Sequence, residues 1–270
     1  MPEGHTLHRL ARLHRRRYVG APVEVSSPQG RFSAEAAVVD GHIMTAAEAF
    51  GKHLFHHYGP HGIVHVHLGL YGTFTEYPLP VAEPVGQVRM RLVGRTHWTD
   101  LRGPARCELL TPPEAEAVIG RLGPDPLRGD ADPERAWERI SRSRAPVAVL
   151  LMDQSVIAGV GNVYRAEVLY RQRIDPMLPG RSLAREQWDA LWADLRRLMR
   201  EGVRVGRIDT VEHEHRPEVT GRAPRNDRHG GEVYVYRRTG QPCLVCGTPV
   251  AHKELAGRNL YWCPTCQPAE

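Results

Sequence analysis

The sequence predicts an α+β protein in three parts: an N-terminal β-sandwich with flanking helices, a helical middle and a C-terminal zinc ribbon. Three observations carry that expectation. Residues 21 to 110 break into short alternating segments such as APVEVSS, HLFHHY and QVRMRLVG, cut by glycine and proline, a spacing that suits a sandwich or barrel and not βαβ units. Residues 146 to 202 repeat apolar positions at helical spacing. Four of the five cysteines lie between positions 243 and 266, in two Cys-x2-Cys pairs. A chain of 270 residues exceeds one ordinary core. The changes of texture divide it into 1–125, 126–232 and 233–270.

The elements follow in order. Residues 3 to 17 form an amphipathic helix, with Leu7, Leu10, Ala11, His14 and Tyr18 on one side and Arg9, Arg12, Arg15 and Arg16 on the other. Ahead of it stand Pro2 and Glu3, which allow two readings. Proline suits a first helical turn and an acid complements the helix dipole. Alternatively, removal of Met1 leaves Pro2 as a secondary amine with a pKa of about 8, partly neutral and nucleophilic at cell pH. In AFGKHLFHHY an isolated Lys52 reads as a surface charge, and His53, His56, His57, His65 and His67 read as packing and polar contacts. Residues 111 to 145 suggest a short helix and then a linker. Between 146 and 202, one helix ends near Ser155, a turn with Gly159 and Gly161 follows, and Asn162 caps the next; Ser182 caps the last. The glycine turn offers either a phosphate cradle or the close packing any helix pair needs. Residues 206 to 232 form a long polar loop, in which HEH at 213 to 215 lacks a third metal ligand.

The C-terminal motif is Cys243-x2-Cys246, sixteen residues, then Cys263-x2-Cys266. That spacing fits one structural Zn2+ held by four thiolates, with no open position for chemistry. The GRN of its hairpin turns Arg258 outward, and Cys107 is left as a lone buried thiol. No run approaches the ~18 apolar residues of a membrane span, and no secretory h-region is present. A soluble, cytoplasmic protein is expected. Net charge is +5, drawn far more from arginine than lysine. Arginine suits phosphate, although a GC-rich genome enriches arginine as well.

PEG at the N-terminus, GKHL at 51 to 54, HLGLYG at 67 to 72, DQSVIAGVGNVYRAE at 153 to 167 and the ribbon ending GRNLYWCPTCQ occur in one order and at one set of distances. In these motifs the chain resembles the formamidopyrimidine-DNA glycosylase and endonuclease VIII family of base-excision repair enzymes, closest to its actinobacterial endonuclease VIII-like branch. The resemblance covers all but the polar loop, and it implies a helix-two-turn-helix module in the middle part. By that resemblance Pro2 is the nucleophile that attacks C1′ of a flipped damaged nucleotide, and Glu3 is its general acid/base. Lys52 contacts phosphate and donates a proton in β-elimination, while Arg258 binds phosphate and serves δ-elimination. Leu70 and Tyr71, with Gly69, fill the space left by the everted base. Asn162 and Arg121 contact DNA. Gly69 departs from the endonuclease VIII pattern, which carries a larger polar residue there. The PEGHT start, in place of PELPE, points to oxidised pyrimidines over oxidised purines.

The expected partner is damaged double-stranded or bubble DNA, bound by a monomer and without membrane association. Two other classes stay open: a non-catalytic zinc-ribbon protein that binds nucleic acid, which has no need of Pro2, Glu3 and Lys52 together, and an RNA-binding ribbon protein.

Overall fold

The computed structural model describes residues 2–227 and 231–269. They fall into two compact units, 1–121 and 122–270; Met1, whose removal the nucleophile reading requires, lies outside the described residues.

Unit 1 opens with α1 (Gly4–Tyr18), whose Leu7, Ala11, His14 and Tyr18 are buried while Arg15, Arg16 and Arg17 stand in the last turn, where cations meet the negative end of the helix dipole. The strands β1 (Glu24–Ser26), β2 (Ala46–Phe50), β3 (His53–His57), β4 (Ile63–His67), β5 (Thr73–Pro78), β6 (Val88–Val93), β7 (His97–Arg102) and β8 (Arg106–Leu110) build two antiparallel sheets. Their orders are β1-β6-β7-β5 and β2-β3-β4-β8. Inward residues of both sheets, among them Ala47, Leu54, Val64, Val66, Met90, Leu92 and Leu101, share one core with Leu7 and Tyr18. The expected sandwich is present.

Two helices flank the sheets. Residues Ser33–Val39, labelled α2, were hidden in the alternating stretch because two turns are too short to show a period. The short helix expected after 110 is α3 (Pro112–Gly120). It starts on a capping box in which Thr111 N and Oγ1 both donate to Glu114 Oε2, at 2.8 and 2.7 Å. Its Ala115 packs with Phe55 and Ile63 on the outer face of the β2-β3-β4-β8 sheet.

Unit 2 begins where a linker was expected, and here the structure differs. Residues Pro133–Ile140 form α4, capped by Asp132, whose carboxylate accepts from Glu134 N at 3.0 Å, and they bury Ala136 and Ile140. Next come α5 (Val147–Leu150), which ends short of Ser155, and α6 (Asn162–Arg171), buried along nearly its whole length. The long α7 (Arg185–Val205) buries Trp188, Leu191, Leu195 and Leu198 and ends on Gly206 at φ +82°, a left-handed cap open to glycine. Ser182 does not cap α7. It sits in a tight turn, and Ala184 takes the cap position with its N–H donating to Gln187 Oε1 at 2.9 Å.

The polar stretch after 206 is not featureless. It contains α8 (Pro217–Thr220) and a turn at His213–His215. Buried Glu167 on α6 pins both of its ends, accepting from Thr210 Oγ1 at 2.6 Å and from the N–H groups of Tyr234, Val235 and Tyr236 at 2.7, 2.9 and 2.8 Å. The chain closes with the hairpin β9 (Ala251–Leu255) and β10 (Arg258–Trp262). No helix among the described residues is long and apolar enough to cross a membrane.

Candidate active site and nucleic-acid interface

The register of unit 1 gathers the N-terminal candidates at one end. Arg15 Nη2 donates to the Ala47 carbonyl at 3.0 Å, His14 Nδ1 meets His56 Nε2 at 2.8 Å, and Val19 bridges to Met44. The C-terminal half of α1 therefore lies beside the start of β2, and the two run in opposite directions. From Arg15 back to Glu3 the helix rises about 18 Å. From Ala47 on to Lys52 the strand and turn advance about 17 Å. Pro2, Glu3 and Lys52 thus come to the same end.

Lys52 occupies a two-residue turn, Gly51–Lys52, closed by the pair Phe50↔His53. Gly51 supplies the positive φ of +56° that the turn needs. His53 pairs with His67, and His67 with Arg106, so the turn after β4 emerges at this end too. Gly69 lies in that turn at φ +67°, and a Cβ there would stand 2.7 Å from the Ala105 Cβ. This is the physical reason that no larger residue occupies 69. Beyond it Leu70 is 45% and Tyr71 84% exposed, apolar side chains held out in solvent. Arg121 is the exposed last cap of α3.

Glu3 is fully buried, and its extended backbone makes it the cap residue of α1, yet its side chain does not cap the helix. A direct side-chain cap therefore does not explain the acid, although the positive end of the helix dipole still favours it there. The histidines behave as packing and polar contacts: His14 bonds His56, His57 Nε2 lies 2.9 Å from Glu48 Oε1, and His215 Nδ1 lies 3.1 Å from the Tyr234 hydroxyl. Burial drives His14 down to about 3 and His56 well below 6.5, so both rings are neutral. Cys107 is half-buried, and burial pushes its thiol up to about 12, which makes it inert.

Unit 2 brings Asn162 and Arg258 together. Asn162 is the first residue of α6 and not its cap, because extended Gly161 takes that place. One proton of its side-chain amide goes to the Asn259 carbonyl at 2.9 Å. Buried Arg165 donates to the same carbonyl at 3.0 Å and also to Asn162 Oδ1. Arg258 precedes Asn259 and is exposed, at the end of an Ala256–Gly257 turn with both φ positive. The Gly159 amide, one candidate for a phosphate cradle, donates instead to Gln154 Oε1 at 3.0 Å. Sequence reasoning missed Arg165; its i, i+3 spacing from Asn162 was the available signal.

The four ribbon cysteines place their Sγ atoms within 4.8 Å of one another. A tetrahedral zinc with Zn–S bonds of about 2.3 Å sets sulfurs about 3.8 Å apart, so the donor set fits. The Tyr170 hydroxyl lies 3.1 Å from Cys243 Sγ, an outer hydrogen bond of the kind that orients a ligand.

Compared with known proteins, residues 1–107 match the formamidopyrimidine-DNA glycosylase N-terminal domain, 122–213 the formamidopyrimidine-DNA glycosylase H2TH domain, and 240–269 the zinc finger found in FPG and IleRS. The chain belongs to the formamidopyrimidine-DNA glycosylase family. It is 56% identical to Endonuclease 8 1 of Mycobacterium tuberculosis over 271 residues, 99% of this chain and 100% of that protein. Identity to a Synechococcus formamidopyrimidine-DNA glycosylase is 34%, over 77% of this chain and 74% of the relative. The MutM (Fpg) structure from Thermus thermophilus superposes with a TM-score of 0.75 at 29% identity, covering 98% of both chains. A Lactococcus lactis Fpg complexed with abasic-site DNA shares the fold, with a TM-score of 0.79 at 20% identity over 99% of this chain and 100% of the other. The protein is accordingly a DNA-repair glycosylase whose zinc finger holds one structural zinc ion on Cys243, Cys246, Cys263 and Cys266. Closed four-thiolate coordination holds shape and leaves the metal no open position for chemistry.

Proposed function

We propose that this glycosylase also cleaves the strand it has cleared, acting as a DNA glycosylase with AP lyase activity on oxidised pyrimidines in duplex or bubble DNA. The observation that carries the reading is the grouping of Pro2, Glu3 and Lys52 at one end of unit 1, beside the turn bearing Leu70 and Tyr71.

Once Met1 is removed, the Pro2 amine attacks C1′ of the flipped nucleotide, the base leaves, and an iminium ion forms as a covalent electron sink. Glu3 protonates the sugar as its ring opens; a carboxyl out of water is suited to hold and pass that proton. The iminium acidifies C2′, and loss of that proton expels the 3′ phosphate. Lys52 neutralises phosphate and donates the proton that β-elimination requires, and Arg258 serves δ-elimination. Leu70 and Tyr71 fill the gap in the stack. Asn162 and Arg121 hold phosphates, Asn162 with the second proton of its amide.

Preference for oxidised pyrimidines rests on the branch: identity to a protein named endonuclease 8 spans the chain, whereas identity to a formamidopyrimidine-DNA glycosylase is lower and partial. A lesion panel in duplex and bubble DNA, with strand ends resolved chemically, tests both parts. Faster release of thymine glycol and dihydrouracil than of oxidised purines, with β- and δ-elimination ends, is expected. Faster release of purines overturns the preference, and intact abasic strands overturn the lyase.

A further inference from the structure

We propose that Glu108, His65 and His53 form a hydrogen-bonded string that positions Lys52 for strand cleavage, a proposal that rests on the role given to Lys52 above. The register sets Phe55 opposite His65 and His65 opposite Glu108, with His53, His67 and Arg106 in the next row. All of these side chains stand on the sheet face turned away from the Leu54, Val64 and Val66 core. His53 Nδ1 lies 2.8 Å from His65 Nε2, and His65 Nδ1 lies 2.9 Å from Glu108 Oε1. His65 is 1% exposed, while Glu108, at the outer end, is half-buried.

The string has a direction. A carboxylate only accepts, so His65 Nδ1 donates to Glu108. In a neutral ring Nε2 then carries the lone pair and accepts from His53 Nδ1. His53 in turn keeps its own lone pair on Nε2. Neutral rings are what the site enforces: burial above all, then His65, His67, Arg106 and Lys52, lowers His53 to about 3, and burial lowers His65 against the opposing pull of Glu108. Ring orientation and tautomer are therefore fixed from the surface acid inward.

The inner end of the string is the residue after Lys52. His53 closes the Gly51–Lys52 turn by pairing with Phe50, and its ring packs against His67 at 4.9 Å between centroids. A locked His53 ring holds the root of the lysine. The other charged groups on this face are accounted for. Arg106 lies 3.7 Å from Glu108, and Glu48 on β2 is engaged by His57. Among the described residues this cluster does not converge as metal ligands, as the cysteines do. Packing of the same face is supplied at its other end by Ala115 of α3 against Phe55 and Ile63.

The test is single-turnover cleavage of abasic-site duplex by the full chain carrying Glu108→Leu, Glu108→Gln, Lys52→Ala, or Lys52→Ala with Glu108→Leu. Glu108→Leu is expected to slow cleavage about tenfold, as a small misplacement of a reacting group does, with unchanged affinity for an uncleavable abasic analogue. Glu108→Gln, which keeps an acceptor for His65, is expected to recover most of the rate. In the Lys52→Ala background, Glu108→Leu is expected to cost nothing further. Full cleavage by Glu108→Leu, or an equal loss with and without Lys52, overturns the string. A slowing that follows lost affinity or a lowered melting midpoint does the same. Cleavage unaffected by Lys52→Ala instead overturns the role of Lys52 itself.

Discussion

Single residues set the sharpest constraints. At Gly69 both the φ of +67° and the 2.7 Å approach of the Ala105 Cβ exclude a side chain. Gly69→Ala is expected to destabilise unit 1 by about 1–3 kcal/mol, read as a lower urea midpoint; an unchanged midpoint contradicts the account of that turn. Glu3→Gln is expected to slow base release by about 10²- to 10⁴-fold, the span of general acid–base catalysis, while DNA affinity is kept. The buried pair His14 and His56 predicts acid sensitivity. Their folded pKa values lie below the unfolded 6.5, near 3 for His14, so below pH 6.5 the unfolded chain binds more protons. Their contribution is complete above pH 6.5 and is lost as pH falls, by at most about 1.4 kcal/mol per pH unit per ring. Urea melts at pH 7 and pH 5 measure it; equal midpoints contradict the neutral pair. At this scale the sequence was informative where chemistry is local, as with the strand histidines and the hairpin-tip Arg258. It misled at Asn162, where a good cap residue is drawn into the helix because its amide is taken by the Asn259 carbonyl, a partner nearly a hundred positions away.

Elements were legible in proportion to their length and period. The helices α1 and α7 announced themselves by apolar spacing, and the sheets by alternation. The helix α4 was read as linker although Asp132, Pro133 and Glu134 form a start signal, an N-cap acid followed by proline at the first helical position. Proline-rich surroundings masked it. The polar stretch after 206 had no apolar period because its order comes from charge: Arg171 and, at 3.2 Å, Arg197 both donate to Glu212. Such pairs join positions far apart in sequence, so no local pattern reveals them. Glu167 is the anchor of this region. Glu167→Ala strands three backbone N–H groups, and it is expected to cost about 3–5 kcal/mol, as removal of a buried charged partner does. A calorimetric midpoint for unit 2 tests this, and a loss under about 1 kcal/mol, the net value of one ordinary hydrogen bond, contradicts it.

For the whole molecule, the division into two units means that the N-terminal sandwich can stay folded when the zinc-bearing unit fails. Cys243→Ser or a strong chelator is expected to release the zinc, unfold 240–269 and abolish DNA binding, while the N-terminal sandwich, with its own core, stays folded. Circular dichroism with zinc stoichiometry reads the result; retained stoichiometry contradicts the four-cysteine site. DNA affinity is expected to fall steeply with salt, since arginine and lysine contacts to phosphate carry it. The central claim is that the amine of Pro2 forms a covalent bond with the sugar. Borohydride reduction of the chain starting at Pro2 with abasic-site DNA, followed by mass mapping of the adduct, tests it most directly. The account predicts one cross-link, on Pro2, that disappears when Met1 is retained; a cross-link on another residue, or none from the processed chain, contradicts it.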